Sequence, residues 1–295
     1  MNLNSRSHET SGAEFALDDM ELFSRATVYR SDMMKGQRVA VTGGGTGLGK
    51  ATAALFARLG ADVAICGRRE DKLLAAQELI QTATGRKVMT RVLSIRDPDA
   101  AAGFVADVHD ELGGMDVLIN NAGGQFPLDS LDMSPKGWLA VVDTNLNGTF
   151  WMMQAAARAW RDRGQPGSIA NVVAPVERGC PQVAHTIASR AGVIYGSRSM
   201  ALEWAPLNIR VNCLAVAGAT TEGMRQYPAE GLRSMAATNP MKRRTDAFSF
   251  AEALVYMSSP AAEYMTGTLL TIDGGKSMWG TSWPAGKPDY FSDGE

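Results

Sequence analysis

Cysteine is scarce in this chain, with three residues, Cys66, Cys180 and Cys213, among 295. An odd number without a Cys-X-X-Cys pair or a Cys/His cluster offers neither a disulfide framework nor zinc-ligand spacing, so no metal site is expected. Each cysteine reads instead as a small buried hydrophobe. Long apolar runs are missing too: no stretch reaches the roughly 18 apolar residues of a membrane span. Neither sign of charge is in excess, since 29 Lys+Arg stand against 31 Asp+Glu for a formal net charge of −2. Nucleic acids and anionic membranes attract basic surfaces, so neither is an expected partner. The first 36 residues carry Glu9, Glu14, Asp18, Asp19 and Glu21 but no apolar core, and do not read as a secretory signal. The C-terminus ends Asp-Gly-Glu, which is no peroxisomal signal, and a cytoplasmic location is the expectation. Internal repeats and low-complexity tracts are also absent.

What is present is an ordinary globular composition, 45% hydrophobic and 20% charged, sufficient for a sizeable core. Short apolar runs at 38–41, 62–66, 88–93, 117–119, 168–173, 210–214 and 269–272 alternate with segments of helical spacing. Continuous rather than alternating apolar runs suit parallel strands buried on both faces, with helices as crossovers. The expected fold is therefore α/β: one doubly wound domain with a seven-stranded parallel sheet over residues 37–275. An N-terminal arm (1–36) precedes it and a C-terminal tail (276–295) follows. Length alone would allow two domains, but nothing between residues 38 and 273 looks like a linker.

The first strand runs directly into Thr-Gly-Gly-Gly-Thr-Gly-Leu-Gly at 42–49, and a helix follows. A pyrophosphate can sit at a helix N-terminus, where free backbone N–H groups face it, if no side chain obstructs the approach. In this spacing Gly43 makes the turn, Gly47 admits the phosphate and Gly49 lets the helix pack, with Thr46 and Leu48 in the same turn. At the end of the second strand, where an acidic residue would hold the ribose hydroxyls of NAD, stand Arg68 and Arg69. Guanidinium groups there suit the additional 2′-phosphate of NADP(H), which is the expected cofactor.

These residues, together with Asn120-Asn121-Ala122-Gly123, Asn145 in Asp-Thr-Asn, and Ile272-Asp273-Gly274-Gly275, resemble the short-chain dehydrogenase/reductases. The resemblance spans residues 36–275 and implies a Rossmann-like domain, a homodimer or homotetramer, and hydride exchange with a nicotinamide. It places Asn121, Ala122 and Gly123 along the adenosine side of the cofactor, Ser94 and Ile95 near adenine, and Thr221 at the carboxamide. The family's Ser-Tyr-Lys trio is missing: Ala174, Thr186 and Arg190 occupy those sites, and no tyrosine is followed by lysine at the fourth position.

Gly123-Gly124-Gln125-Phe126, Lys136-Gly137-Trp138, Ala184-His185, Arg190-Ala191-Gly192-Val193 and Ala201-Leu202-Glu203-Trp204 resemble the peroxisomal trans-2-enoyl-CoA reductases, which are NADPH-dependent and share the altered trio. Dienoyl-CoA reductases share residues 42–50 but keep lysine at the site of Arg190. Adding hydride to the β-carbon of an unsaturated thioester gathers charge on the thioester oxygen, and a proton ends on the α-carbon. That oxygen needs hydrogen bonds more than a proton. The expected catalytic set is Asn145, Thr186, Arg190, which also binds the cofactor ribose, and Tyr195, one place after the position where those reductases carry their tyrosine. The expected substrate is a small molecule, an acyl-CoA thioester. Segment 220–246 matches a substrate lid, and Lys242, Arg243 and Arg244 in it face either coenzyme A phosphates or solvent. His185 reads as a capping or packed histidine, with a proton donor as the alternative. Two other functions fit the same residues: a carbonyl reductase or alcohol dehydrogenase with an atypical site, and a non-catalytic dinucleotide-binding protein.

Overall fold

Apolar side chains on both faces of each short run drive the strands into the middle of the molecule, between two layers of helix. The computed structural model describes residues 18–220 and 239–278. Its strands are β1 (Arg38–Thr42), β2 (Asp62–Gly67), β3 (Val88–Val92), β4 (Val117–Asn120), β5 (Gly167–Val173), β6 (Ile209–Val216), β7 (Ala219–Thr220), β8 (Thr245–Asp246) and β9 (Leu269–Ile272). Seven of them form one sheet in the order β3-β2-β1-β4-β5-β6-β9, every pairing parallel, as the run pattern implies. The strand order reverses between β1 and β4, and that switch point opens a crevice beyond their carboxyl ends. β7 and β8 pair separately, at the two ends of segment 221–238.

The helices are α1 (Asp19–Ser24), α2 (Gly47–Arg58), α3 (Glu70–Thr84), α4 (Pro98–Leu112), α5 (Pro135–Val142), α6 (Gly148–Arg163), α7 (Ala184–Trp204) and α8 (Ala247–Ser258). The pleat divides the core between them: Val39, Val41, Val63 and Ile65 point toward α2, α3 and α8, while Ala40, Ala64 and Cys66 point toward α4 and α6. Phe56, Phe248 and Phe250 fill the first layer, Phe104 and Trp160 the second. Local signals set the helix ends. Asp97 accepts from Asp99 N at 2.9 Å and Ala100 N at 3.2 Å, Pro98 opens α4, and Gly113 at φ +76° closes it.

The described part of the arm is built into the domain. Leu22 and Met34 are core residues, and Arg58 of α2 donates to Leu22 O at 2.8 Å and Arg25 O at 2.7 Å. Arg25 in turn pairs with Asp246 at 2.5 Å, so the arm ties α2 to the start of α8. Cys66 and Cys213 are buried as expected, whereas Cys180 is exposed, because it lies in the β5–α7 connection rather than in a packed element. Among the described residues no helix is long and apolar enough to cross a membrane.

Candidate functional site

The β1–α2 turn folds as its glycines require. Gly43 and Gly47 adopt φ +69° and +53°, the left-handed region that a Cβ disfavours. Gly43 N and Gly44 N both donate to Cys66 O, at 2.8 and 3.3 Å, which pins the turn beside β2. A methyl group on Gly49 would overlap the Gly43 carbonyl, so glycine there allows α2 to start directly against the turn. The Thr46 side chain makes no capping hydrogen bond. The first-turn N–H groups of α2 therefore remain available to an anion in front of them.

That turn forms one wall of a cleft of about 420 Å³ at the switch point. The structure gathers Gly43, Thr46, Gly47, Leu48, Arg68, Arg69, Ser94, Ile95, Asn121, Ala122 and Gly123 around it, with Gly49 just behind. Lys72, Arg96, Thr144 and Val216 also line it, and the sequence reading missed them. No Asp or Glu does. Arg68 and Arg69 are exposed and their side chains make no hydrogen bond or ion pair among the described residues, whereas Arg96 is held by Thr144 Oγ1 and Ala140 O, each at 2.6 Å. Thr42, unassigned by its position in the motif, accepts at Oγ1 from Asn121 N at 3.1 Å and Ala122 N at 2.9 Å. Asn121 Nδ2 donates back to Thr42 O at 3.0 Å, locking the β4 loop onto the β1 turn.

The other end of the site is assembled by a π turn, Asp143–Asn147, between α5 and α6. Such a turn inserts an extra residue into the helical ladder and re-aims a side chain. Asn145, buried within it, accepts from Gly124 N and donates to Gly124 O, both at 2.9 Å. Gly123 meets the guanidinium of Arg190: a methyl on Gly123 would collide with Nη2 and come within 3.1 Å of Asn145 Oδ1. Arg190 is 8% exposed, forms no salt bridge among the described residues, and has a buried Nη1 without a hydrogen-bond partner. Burial pushes its guanidinium down to about 10, with only weak opposition from Cys213. Thr186 is buried on the same helix, its Oγ1 3.4 Å from His185 Nδ1.

Tyr195 does not join this group. It is 65% exposed, with the Arg198 guanidinium 4.8 Å over its ring. Nine residues beyond Thr186 on α7, it faces about 180° away, while Ile194 takes the buried position. The expectation that it contributes a phenol to the site of its own chain is therefore corrected. Thr221 and segment 221–238 lie outside the described residues. Of the basic run, Lys242 and Arg243 are exposed and Arg244 half-buried. Among the described residues no cluster of metal ligands occurs.

A dinucleotide fits these residues. An open helix N-terminus faces the cleft, two unpaired guanidinium groups stand at the β2 end, and a buried unpaired guanidinium stands beside Gly123. Comparison with known proteins agrees. A family profile described as enoyl-(acyl carrier protein) reductase matches residues 42–277. A probable 2,4-dienoyl-CoA reductase [(2E)-enoyl-CoA-producing] of Bacillus subtilis (strain 168) is 35% identical over 256 residues, 85% of this chain and 100% of that protein. Glucose 1-dehydrogenase of Gluconobacter oxydans (strain 621H) is 32% identical, covering 84% of this chain and 95% of that one. Among solved structures, a short chain dehydrogenase from Bacillus anthracis str. 'Ames Ancestor' superposes with a TM-score of 0.79 at 34% identity, over 84% of this chain and 99% of that one. On this profile match and these identities the chain belongs to the short-chain dehydrogenase/reductases, a family of oxidoreductases that bind a nicotinamide dinucleotide.

Proposed function

We propose that this protein is an NADPH-dependent reductase of a carbon–carbon double bond conjugated to a coenzyme A thioester. The observation that carries the reading is the buried guanidinium of Arg190 beside Gly123, its Nη1 without a hydrogen-bond partner among the described residues and Tyr195 turned to solvent. Reduced nicotinamide, when bound, supplies hydride to the alkene carbon. Arg190 would hold the nicotinamide ribose and add positive field, Thr186 would donate to the thioester oxygen as charge collects there, and solvent water would supply the proton that ends on the α-carbon. Asn145 acts as a positioning residue, through Gly124. A ketone reducer, by contrast, must protonate an alkoxide, and losing a positioned acid typically costs about 10²- to 10⁴-fold.

Arg68 and Arg69, in a cleft that no carboxylate lines among the described residues, support NADP(H) over NAD(H). The dienoyl-CoA reductase relatives support the thioester class. The outer face of α7, with Tyr195 and Leu202 exposed, offers apolar surface for a homodimer or homotetramer. The test compares trans-2-enoyl-CoA and 2,4-dienoyl-CoA with 3-ketoacyl-CoA at matched chain length, following NADPH. Reduction of an unsaturated thioester at least about 10²-fold faster than the ketone is expected. Fast ketone turnover with inert alkenes would replace this reading with a carbonyl reductase.

A further inference from the structure

We infer that His185 is a further catalytic residue, its Nε2–H donating to the thioester oxygen of the substrate. The inference rests on the thioester reading above and adds a donor to that site. His185 is fully buried at the start of α7, and its Nδ1 accepts from Thr186 N at 2.8 Å, an N–H that Val183 O shares at 2.9 Å. A ring nitrogen that accepts carries no proton, so the proton of the imidazole sits on Nε2. That Nε2 is buried and has no hydrogen-bond partner.

Buried donors without partners are rare in native proteins and call for a ligand or another specific explanation. Here the location supplies one. The ring lies edge-on to Phe126, centroids 4.8 Å apart, in the loop that also carries Gly123 and Gly124. Arg190 Nη1, five residues further along α7, is the second buried donor on this helix without a partner. The helix thus presents an N–H from each of two side chains beside the loop that Asn145 holds, and both require an acceptor.

The Thr186 hydroxyl belongs to the same arrangement. Nδ1 has a single lone pair, and the Thr186 backbone N–H occupies it at 2.8 Å while Oγ1 stays at 3.4 Å. The hydroxyl proton is therefore left for a ligand. A carbonyl oxygen that becomes anionic accepts more than one hydrogen bond, and donors already fixed in place need no rearrangement as the charge develops. His185 and Thr186 together stand in for the missing phenol without giving up a proton.

The experiment uses the full chain and compares His185→Leu, His185→Gln and His185→Asn with the unaltered protein. Turnover of the preferred unsaturated thioester, NADPH affinity and Tm are measured for each. A glutamine amide reaches the place of Nε2, whereas an asparagine amide reaches only that of Nδ1. His185→Leu should lower kcat by about 10²- to 10³-fold with NADPH affinity unchanged. His185→Gln should keep at least ten times the kcat of His185→Asn, a comparison that stands even where the leucine variant does not fold. Equal kcat in the glutamine and asparagine variants, or a leucine variant at full rate, would overturn the inference while leaving the reductase assignment intact. An unaltered protein inert toward every unsaturated thioester would end both.

Discussion

Asn145 and Gly124, 21 residues apart, exchange two hydrogen bonds of 2.9 Å, the carboxamide accepting from the N–H and donating to the carbonyl. This pairing occupies both ends of the amide and anchors the loop after β4 on the π turn. Asn145→Ala should therefore lower stability by about 1–3 kcal/mol, read as a fall in Tm of a few degrees. Turnover should fall further than NADPH affinity, because Thr42 and Asn121 still hold the adenosine side of the loop. A variant with unchanged turnover would remove Asn145 from any positioning role.

Arg68 makes no protein contact that an added phosphate would have to displace. Arg68→Ala should weaken NADPH binding by about 1.5–3 kcal/mol, roughly 10- to 150-fold, and leave NADH binding nearly unchanged. Fluorescence titration of both reduced cofactors checks it. Equal affinities in the unaltered protein would remove the case for NADP(H).

Much of this was legible in the sequence. A parallel strand buried on both faces leaves a continuous apolar run, which is why all seven strands of the main sheet appear within about two residues of their expected places. The glycine turn was legible for a local reason: Gly43, Gly47 and Gly49 are each required by backbone geometry within eight residues of chain. The cations Lys72 and Arg96 were not, since they reach the cleft only through the packing of α3 and the β3–α4 connection around the switch point. That the expected arm packs into the domain was hidden for the same reason, because Arg25 and Asp246 lie 221 residues apart. Tyr195 failed by one position on a helix, where each residue turns the side chain by about 100°. Thr186 was legible as a candidate through its place in the altered trio, but that the Nε2 of His185 lacks a partner shows only in the packing.

Arg190 sets function against stability. Its guanidinium is pushed down to about 10 because burial penalises the charged form, and among the described residues it forms no salt bridge. At neutral pH the folded protein carries that penalty, on the order of 3 kcal/mol, and it is relieved only as pH rises through about 10. Arg190→Met, similar in volume and uncharged, should consequently leave Tm unchanged or raise it, while turnover drops by at least about 10²-fold. A marked loss of Tm together with preserved turnover would show that the guanidinium serves packing rather than the reaction.

Thr186 supplies the most direct test of how charge on the substrate oxygen is held. Its hydroxyl is buried at the head of α7, 3.4 Å from His185 Nδ1, which the Thr186 backbone N–H meets more closely at 2.8 Å. Thr186→Val keeps the shape and removes only the donor. Reduction of the unsaturated thioester should slow by about 10²-fold, with NADPH affinity unchanged, since the cofactor cleft is lined by other residues. Combining this change with His185→Leu gives a double-mutant cycle, and two donors serving one oxygen should show an interaction term of at least about 0.5 kcal/mol rather than simple addition. Strict additivity would mean that the two side chains act on separate groups. An unchanged rate in Thr186→Val alone would clear the hydroxyl of any role, and the oxygen would then be held by His185.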